Sequence, residues 1–241
     1  MPSPTPHPED LHPSLWRASQ LARHTARTLD TGYAALSAEL PGGGWPIGAL
    51  VDLLVQQPGV GEMRLLSPAL GALGAANATG KRPIALVQPP HVPNGLGLDY
   101  IGLPLKQLML VNAKTTGDAL WATEQILRAG SCGALLLWIE RVPVSSLRRL
   151  HLAAQSSDTL FVAMRPLAAA ADTSPALLRL ALRATGEGLA VDIVKRRGPL
   201  RTDPLPLPLQ PTPILLSRHA RTARRSPAPV AARSLQAEVA A

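Results

Sequence analysis

The sequence contains a single cysteine, few aromatic residues and no long apolar run. Cys132 stands alone among 241 residues, so no disulfide can form within the chain, and a zinc site built from several cysteines is excluded. Aromatic residues amount to 3% of the chain, which means that its core must consist mainly of Leu, Ala, Val and Ile. Because 46% of the residues are hydrophobic, these side chains are sufficient for one well-formed core.

Features of enzymes, metal sites and membrane segments are also missing. The histidines show no spacing typical of metal ligands, and Ser131 and Ser217 lack the G-x-S-x-G context of a nucleophilic serine. No apolar run reaches the ~18 residues of a transmembrane helix, and none follows a basic start. We therefore predict a cytoplasmic, non-enzymatic protein without a metal, a cofactor or a membrane segment, in which Cys132 is a buried or half-buried thiol.

Proline and positive charge, by contrast, are abundant. The 25 prolines cluster near the two ends of the chain, which favours extended or loosely ordered segments there. The formal net charge is +8, a balance that suits nucleic acid, an anionic membrane surface or an acidic partner. A Leu-, Arg-, Ala- and Pro-rich composition that reflects a GC-rich genome explains the charge equally well.

The order of apolar segments predicts an α/β fold. Continuous apolar runs such as "ALVDLLV", "PIALVQ" and "GALLLWIE" are typical of buried strands, and they alternate with segments of helical spacing. This alternation predicts a mostly parallel sheet with helices on both faces. Thr115 or Thr116 is expected to cap one helix, which Gly130 ends. The two runs around "TGEG" predict an antiparallel hairpin at the end of the sheet.

These patterns divide the chain into four parts. They are a disordered lead (1–12), an amphipathic helix over 13–29 with a glycine-rich entry that continues to residue 45, a core (46–204) and a disordered Pro/Arg-rich tail (205–241). Within the core, a helix that starts near Gly61 is expected to end at Gly80, with a kink at Pro68.

The glycine-rich entry carries a resemblance to a known family. The segment "TGYAALSAELPGGGWPIGALVDLL" resembles the entry into the ATPase core of RecA recombinases. The residues that match are Thr31, Gly32, Leu36, Leu40, Gly43, Gly44, Pro46 and Gly48. Together with "LWRASQLA", "GVGEMRLLSPAL" and "VKRRGP", this segment makes the chain similar to the RecA-like ImuA family over residues 13 to 205. A weaker similarity to SulA, a cell-division inhibitor of the same RecA-like group, lies around "GLPLKQLMLVN" and "FVAMRP".

The resemblance to ImuA implies a role in the DNA-damage (SOS) response. Members of that family assist error-prone translesion synthesis together with ImuB, a homologue of Y-family polymerases, and with an alternative DNA polymerase III alpha subunit. RecA and DNA are further partners that the resemblance implies. It also implies self-association, because an N-terminal helix of RecA packs on the neighbouring protomer. A SulA-like inhibitor that binds the tubulin-like division protein is the alternative.

The loop "VQQPGVGEMRLL" has the position of a P-loop but lacks the residues that hold phosphate. A functional loop reads G-x-x-x-x-G-K-[ST], with the lysine on phosphate and the hydroxyl on Mg²⁺. Aligning Gly61 with the second glycine places Gln56 on the first, Glu62 on the lysine and Met63 on the hydroxyl residue, with Gly59 between the two glycine positions. A carboxylate in place of the cation reverses an interaction of about 4 kcal/mol per pair at an effective dielectric constant of ~20. We therefore predict a degenerate loop kept for fold geometry, and weak nucleotide binding without hydrolysis is the alternative.

The metal side of such a site is altered as well. Trp138 stands where a Walker-B-type aspartate is expected, and Glu140, two residues further on, is the available substitute.

Two surface sites complete the predictions. Lys195, Arg196, Arg197 and Arg201 form the densest basic group of the core, which predicts either DNA phosphate contacts or a solvated face. Trp16, Arg17 and Leu21 belong to the predicted N-terminal helix, which is expected to bind a partner or to pack on its own core.

Overall fold

The computed structural model describes residues 27–76 and 82–209. The predicted lead, most of the predicted N-terminal helix, Gly80 and the tail from residue 210 onward lie outside these residues. The strands are β1 Thr28–Asp30, β2 Gly44–Pro46, β3 Ala49–Val55, β4 Ile84–Val87, β5 Leu108–Val111, β6 Ala134–Trp138, β7 Leu160–Pro166, β8 Leu178–Thr185, β9 Gly188–Lys195 and β10 Leu205–Pro208. The helices are α1 Ala34–Glu39, α2 Glu62–Ala76, α3 Gly95–Tyr100, α4 Thr116–Ala129 and α5 Val144–Gln155, with 3-10 turns over Pro41–Gly43, Leu105–Gln107 and Leu167–Ala171.

An eight-stranded sheet in the order β10-β9-β8-β3-β7-β6-β4-β5 organises the fold. The strands from β8 to β5 run parallel, whereas β9 pairs antiparallel with β8 and β10 pairs antiparallel with β9. A separate two-stranded sheet joins β1 to β2. The structure thus confirms the prediction of a mostly parallel α/β sheet with an antiparallel hairpin at its end.

Both faces of the sheet are covered, as continuous apolar strands predict. Along β3, alternate side chains enter opposite layers, with Leu53 in the layer of α2 and Leu50 in the layer of α4 and α5. We call these the first and second faces. Leu65 and Leu70 of α2 are fully buried on the first face. Burial of each such leucine contributes about 1.5–3 kcal/mol.

The ends of α4 follow the sequence signals. The Thr115 side chain accepts a hydrogen bond from the backbone N–H of Asp118 at 3.1 Å. Gly130 follows the helix in the left-handed conformation, with φ 59°. The predicted cap and stop are therefore confirmed, with Thr115 rather than Thr116 as the cap.

Two boundaries differ from the predictions. The helix predicted to reach Leu29 is wrong at its end, because Thr28–Asp30 is a strand paired with β2. The tail predicted to be disordered from residue 205 is wrong at its start, because Leu205–Pro208 joins the sheet beside β9. Leu205 and Leu207 are buried there while the intervening prolines face outward, so alternate burial outweighs the proline content.

Pro68 lies inside α2, which the structure describes as one helix over Glu62–Ala76. The ring of Pro68 packs against Gly32, where an added Cβ would lie 2.3 Å from the Pro68 Cβ. Gly32 also has φ 80°, so only glycine fits between β1 and this proline.

A cluster of charged residues is buried on the second face. Asp52, in the middle of β3, is fully buried, and its Oδ2 accepts a hydrogen bond from Nε of Arg179 on β8 at 3.1 Å. Arg179 also donates to backbone carbonyls of the 3-10 turn Leu167–Ala171. On the other side, Nη1 of Arg165 lies 3.6 Å from Asp52 Oδ2, and its Nη2 donates to Asp172 at 2.9 Å. The two arginines thus compensate two carboxylates and join β3 to both of its neighbours.

We predict that Arg179→Leu destabilises the protein by about 3–5 kcal/mol, because it leaves the carboxylate of Asp52 buried without its closest cation. The matched control is Arg183→Leu on the same strand, since Arg183 is exposed and pairs with Asp192 at the surface, where an ion pair contributes about 0–1 kcal/mol. Denaturant unfolding measures both changes. Equal losses in the two variants would contradict the assignment, and the double variant Asp52→Leu with Arg179→Leu should recover part of the loss.

Candidate functional site

The carboxyl ends of the parallel strands meet at one edge of the sheet, which is where ligands bind in open α/β folds. The loop after β3 leads directly into α2, and the segments after β4, β6 and β7 lie beside it. A cavity of about 430 Å³ at this edge is lined by Val55, Gln56, Gln57, Pro58, Gln88, Pro90, Trp138, Ile139, Glu140, Met164, Arg165 and Pro166. This cavity brings Gln56 of the predicted loop together with Trp138 and Glu140 of the predicted metal side. The other residues predicted for the loop line a separate cavity of about 330 Å³; they are Gly59, Gly61, Glu62 and Met63.

The side chain of Glu62 fills the turn between β3 and α2. Its Oε1 accepts a hydrogen bond from the Gly59 N–H at 2.7 Å, and its Oε2 accepts one from the Gly61 N–H at 3.0 Å. Gly59 and Gly61 have φ 90° and 130°, backbone conformations that favour glycine. Glu62 is only 3% exposed, so water contributes little to its environment. The two N–H groups and the N-terminal end of α2 surround its carboxylate instead. The Glu62 carboxylate thus accepts the N–H groups of both glycines in this loop.

The other residues predicted for this site take different roles. Gln56 is exposed, and Met63 is half-buried against the core of the first face. Trp138 is half-buried and packs on that same core, whereas Glu140 is exposed. No arrangement of three or more His, Cys, Asp or Glu side chains suited to a metal ion is present within residues 27–76 and 82–209.

The predicted basic group is largely engaged in contacts within the chain. Nη1 of Arg196 lies 2.8 Å from Glu39 Oε2 and also donates to the Glu39 carbonyl, and Nη1 of Arg201 lies 2.9 Å from Glu39 Oε1. The Arg196 and Arg201 guanidinium groups lower the pKa of the Glu39 carboxyl by hydrogen bonding to it. Nζ of Lys195 donates to the Ser174 carbonyl at 2.9 Å, and Arg197 is exposed. Three of the four cations therefore hold α1 and neighbouring segments in place.

Glu39 had no signal in the sequence. It is a single acid before a glycine-rich turn, and its partners lie 157 and 162 residues away along the chain. The prediction for Trp16, Arg17 and Leu21 falls outside the described residues. Cys132 is buried, as predicted, and burial raises the pKa of its thiol.

A surface that was not predicted from the sequence lies between β4 and the end of β5. Over residues 92–110, large apolar side chains are exposed to solvent, and Val92 and Leu96 are 90% and 83% exposed. The other members of this set are Tyr100, Leu105 and Leu110. We call residues 92–110 the apolar segment. Exposed apolar side chains concentrated in one segment are typical of a surface that binds another protein.

Within the described residues, the helices are either too short or too polar to cross a lipid bilayer.

Glu62→Ala is expected to destabilise the protein by about 2 kcal/mol, because the Gly59 and Gly61 N–H groups lose their buried acceptor. The matched control is Glu140→Ala, which removes an exposed carboxylate at the same edge of the sheet and should change stability by less than about 0.5 kcal/mol. Thermal unfolding of the two variants measures the difference. A loss no larger for Glu62 than for Glu140 would show that the turn does not need the carboxylate.

Comparisons with known proteins relate part of the chain to SulA. No family model matches the sequence. Over 85 residues the chain is 33% identical to the cell division inhibitor SulA of Edwardsiella piscicida, a match that covers 34% of this chain and 51% of that protein. The chain thus spans about half the length of the curated relative that it matches. A crystal structure of SulA from Pseudomonas aeruginosa is 25% identical, covers 48% of this chain and 97% of its own, and has a TM-score of 0.40. The 33% identity over 85 residues confirms the similarity to SulA noted in the sequence, whereas the similarity to ImuA stays a prediction.

Proposed function

We propose that this chain is a non-catalytic accessory factor of the DNA-damage (SOS) response, with a RecA-like fold, that acts by binding other proteins. The observation that carries the proposal is the buried Glu62 carboxylate, which takes both N–H groups of the loop at the carboxyl edge of the sheet. The relationship to SulA over 85 residues supports the proposed cellular process.

The electrostatics of the loop favour a binding role over turnover of ATP. A nucleotide phosphate would have to displace Glu62 from its two hydrogen bonds or approach a carboxylate without an intervening cation, and like charges repel by about 4 kcal/mol per pair at a dielectric constant of ~20. The half-buried Trp138 stands at the position where a metal-associated carboxylate would be needed. The protein is accordingly proposed to bind no nucleotide in this loop and to hydrolyse none.

Translesion synthesis is the first specific candidate. In this proposal the chain binds an ImuB-like homologue of Y-family polymerases and supports error-prone synthesis, with an alternative DNA polymerase III alpha subunit and RecA as further partners. The segments that resemble ImuA extend well outside the middle of the chain, from "LPGGGWPIGAL", which leads into β3, to "VKRRGP", which begins at the end of β9. A factor that only inhibits division would need less of this framework.

Division inhibition is the second candidate, and the SulA match favours it. In this proposal the protein binds the tubulin-like division protein. The two candidates differ in their partner and in the cellular effect of expression. Filamentous growth on expression supports division inhibition, and loss of damage-induced mutations on deletion of the gene supports translesion synthesis.

We predict that the purified chain captures an ImuB-like protein from a purified mixture and does not capture the tubulin-like division protein. Trp16→Ala combined with Leu21→Ala should reduce this capture strongly, because these residues belong to the predicted partner-binding helix. Leu152→Ala is the matched control, since Leu152 is exposed on α5 and lies outside the predicted surface. Capture of the division protein alone would transfer the assignment to the second candidate.

Direct DNA contact is a further part of the proposal, and the structure restricts which cations are available for it. Arg197 is exposed, whereas the side chain of Arg196 is 12% exposed in its pair with Glu39. If the basic group binds duplex phosphates, binding should be independent of sequence and sensitive to salt, with each contact adding about −0.9 to the slope of log K against log salt.

We expect Arg197→Ala to flatten this slope by about 0.9 and to leave the melting temperature unchanged. Arg196→Ala should instead lower the melting temperature, because it removes a cation that holds Glu39 of α1. Titrations at several salt concentrations, with a melting curve for each variant, test both statements. An unchanged slope in Arg197→Ala at normal melting would show that this residue belongs to a solvated surface.

A further inference from the structure

The two outer edges of the main sheet differ in their chemistry. On β10, Pro206 and Pro208 alternate with buried leucines. The carbonyl of Leu207 approaches Gly188 of β9 so closely that an added Cβ there would lie 2.2 Å from it, which shows that the backbone groups of Leu207 face β9. The prolines therefore face the outer edge, where they offer no N–H to another strand.

The opposite edge, formed by β5, keeps its donors. Val111 accepts a hydrogen bond from the Gln88 N–H at 2.9 Å, so the backbone groups of Val111 face β4. Because backbone groups alternate along a strand, the N–H and C=O of Leu110 face the outer edge. Within the described residues, no strand lies beyond β5 in the sheet. An edge of this kind is a template for an added strand.

The side chains around β5 fit an apolar ligand. Leu110 is 47% exposed, and Leu108, Met109 and Val111 are half-buried, so a strand placed beside β5 would cover apolar surface. The exposed Leu105 precedes the strand, and the apolar segment that contains it continues back to Val92.

Charges at the two ends of β5 define the ligand further. Lys106 and Lys114, both exposed, flank the strand. The exposed carboxylates nearby lie on the helices: Asp99 is on α3, and Asp118 on α4 accepts a hydrogen bond from the Thr115 hydroxyl. A second copy of the chain paired antiparallel about Leu110 would place Lys106 of each copy opposite Lys114 of the other, and such like-charge pairs are unfavourable.

From these observations we propose that the outer edge of β5 binds an extended segment of a partner protein as an added strand, and that this segment is apolar at alternate positions and acidic at both ends. The inference rests on the proposed function, because it assigns the surface through which the chain binds another protein. Backbone hydrogen bonds to Leu110 hold the segment, apolar contacts to the side chains of β5 select it, and Lys106 and Lys114 fix its register.

The test uses the full chain and three labelled peptides: EVTVTVE, its basic counterpart KVTVTVK, and EVTVTVE with N-methyl groups on alternate backbone nitrogens. Fluorescence anisotropy should show binding of EVTVTVE, and binding weaker by about tenfold or more for the other two, which lose the charge pairs or the backbone donors. Equal binding of the acidic and basic peptides would overturn the proposal.

A proline at position 110 is the most specific variant. Leu110→Pro removes the outward N–H but no hydrogen bond to β4. It gives β5 an outward-facing proline of the kind that β10 already has, so the variant should fold. It should weaken EVTVTVE binding by about tenfold, whereas Leu110→Ala, which keeps the N–H, should weaken it less. The pair Lys106→Glu with Lys114→Glu should reverse the preference toward KVTVTVK. Unchanged binding by folded Leu110→Pro overturns the proposal, as does a dimer in sedimentation that Leu110→Pro dissociates.

Capture of the protein partner by the wild-type chain and by Leu110→Pro distinguishes a failure of this inference from a failure of the proposed function. If the wild-type chain captures its partner and folded Leu110→Pro captures it equally well, the edge proposal fails and the function stands. If the wild-type chain captures neither the ImuB-like protein nor the division protein, the proposed function fails, and the peptide titrations alone decide whether β5 accepts a strand.

Discussion

The carboxylate of Asp52 lies at the centre of the sheet without access to water, and the arrangement of the neighbouring strands depends on its neutralisation. A buried charge of this kind is costly unless cations and hydrogen bonds surround it. Arg179 on β8 and Arg165 on β7 supply that charge from both sides of β3. A shift of either strand by one residue would turn its arginine to the opposite face. The cluster therefore fixes which residues of the three central strands face each other, and with them the positions of the loops at the carboxyl edge.

Among those loops, the turn before α2 shows how the chain itself satisfies the backbone groups at this edge. The turn before α2 keeps the glycine conformations and inward N–H groups that an anion requires, and Glu62 satisfies them from within the chain. A side chain of the protein itself thus stabilises the turn. At the far side of the sheet, the apolar segment and the edge of β5 present the surface suited to a partner. The two features are consistent with the proposed function, in which the core would be a scaffold and its exposed edge would contact a partner.

Much of the fold could be predicted from the sequence, because its determinants are local. The apolar runs of β3, β4 and β6 and the Thr115 and Gly130 signals of α4 each depend on neighbouring residues. The identity of Glu62 likewise led to the prediction of a loop unsuited to phosphate, which stays a prediction. What the sequence could not show were contacts between distant residues. Glu39 accepts a hydrogen bond from Arg196, which lies 157 positions away along the chain. The basic group that the sequence suggested for DNA is therefore largely engaged in contacts within the chain. The prolines that alternate with Leu205 and Leu207 suggested a disordered segment. The alternation is explained only by the position of this segment at the sheet edge, where the leucines are buried and the prolines are exposed.

The position of β3 has a consequence for the nascent chain. Asp52 and Arg179 are 127 residues apart, and both strands that flank β3 follow it late in synthesis. At about 5–20 residues per second, the segment "ALVDLLV" leaves the ribosome on the order of ten seconds before its last partner is made. An apolar segment with high strand propensity is prone to aggregate during such an interval, and a charge within it opposes stacking with other chains. Until Arg179 is synthesised, the carboxylate that later anchors the sheet thus serves as a gatekeeper that keeps its own strand soluble.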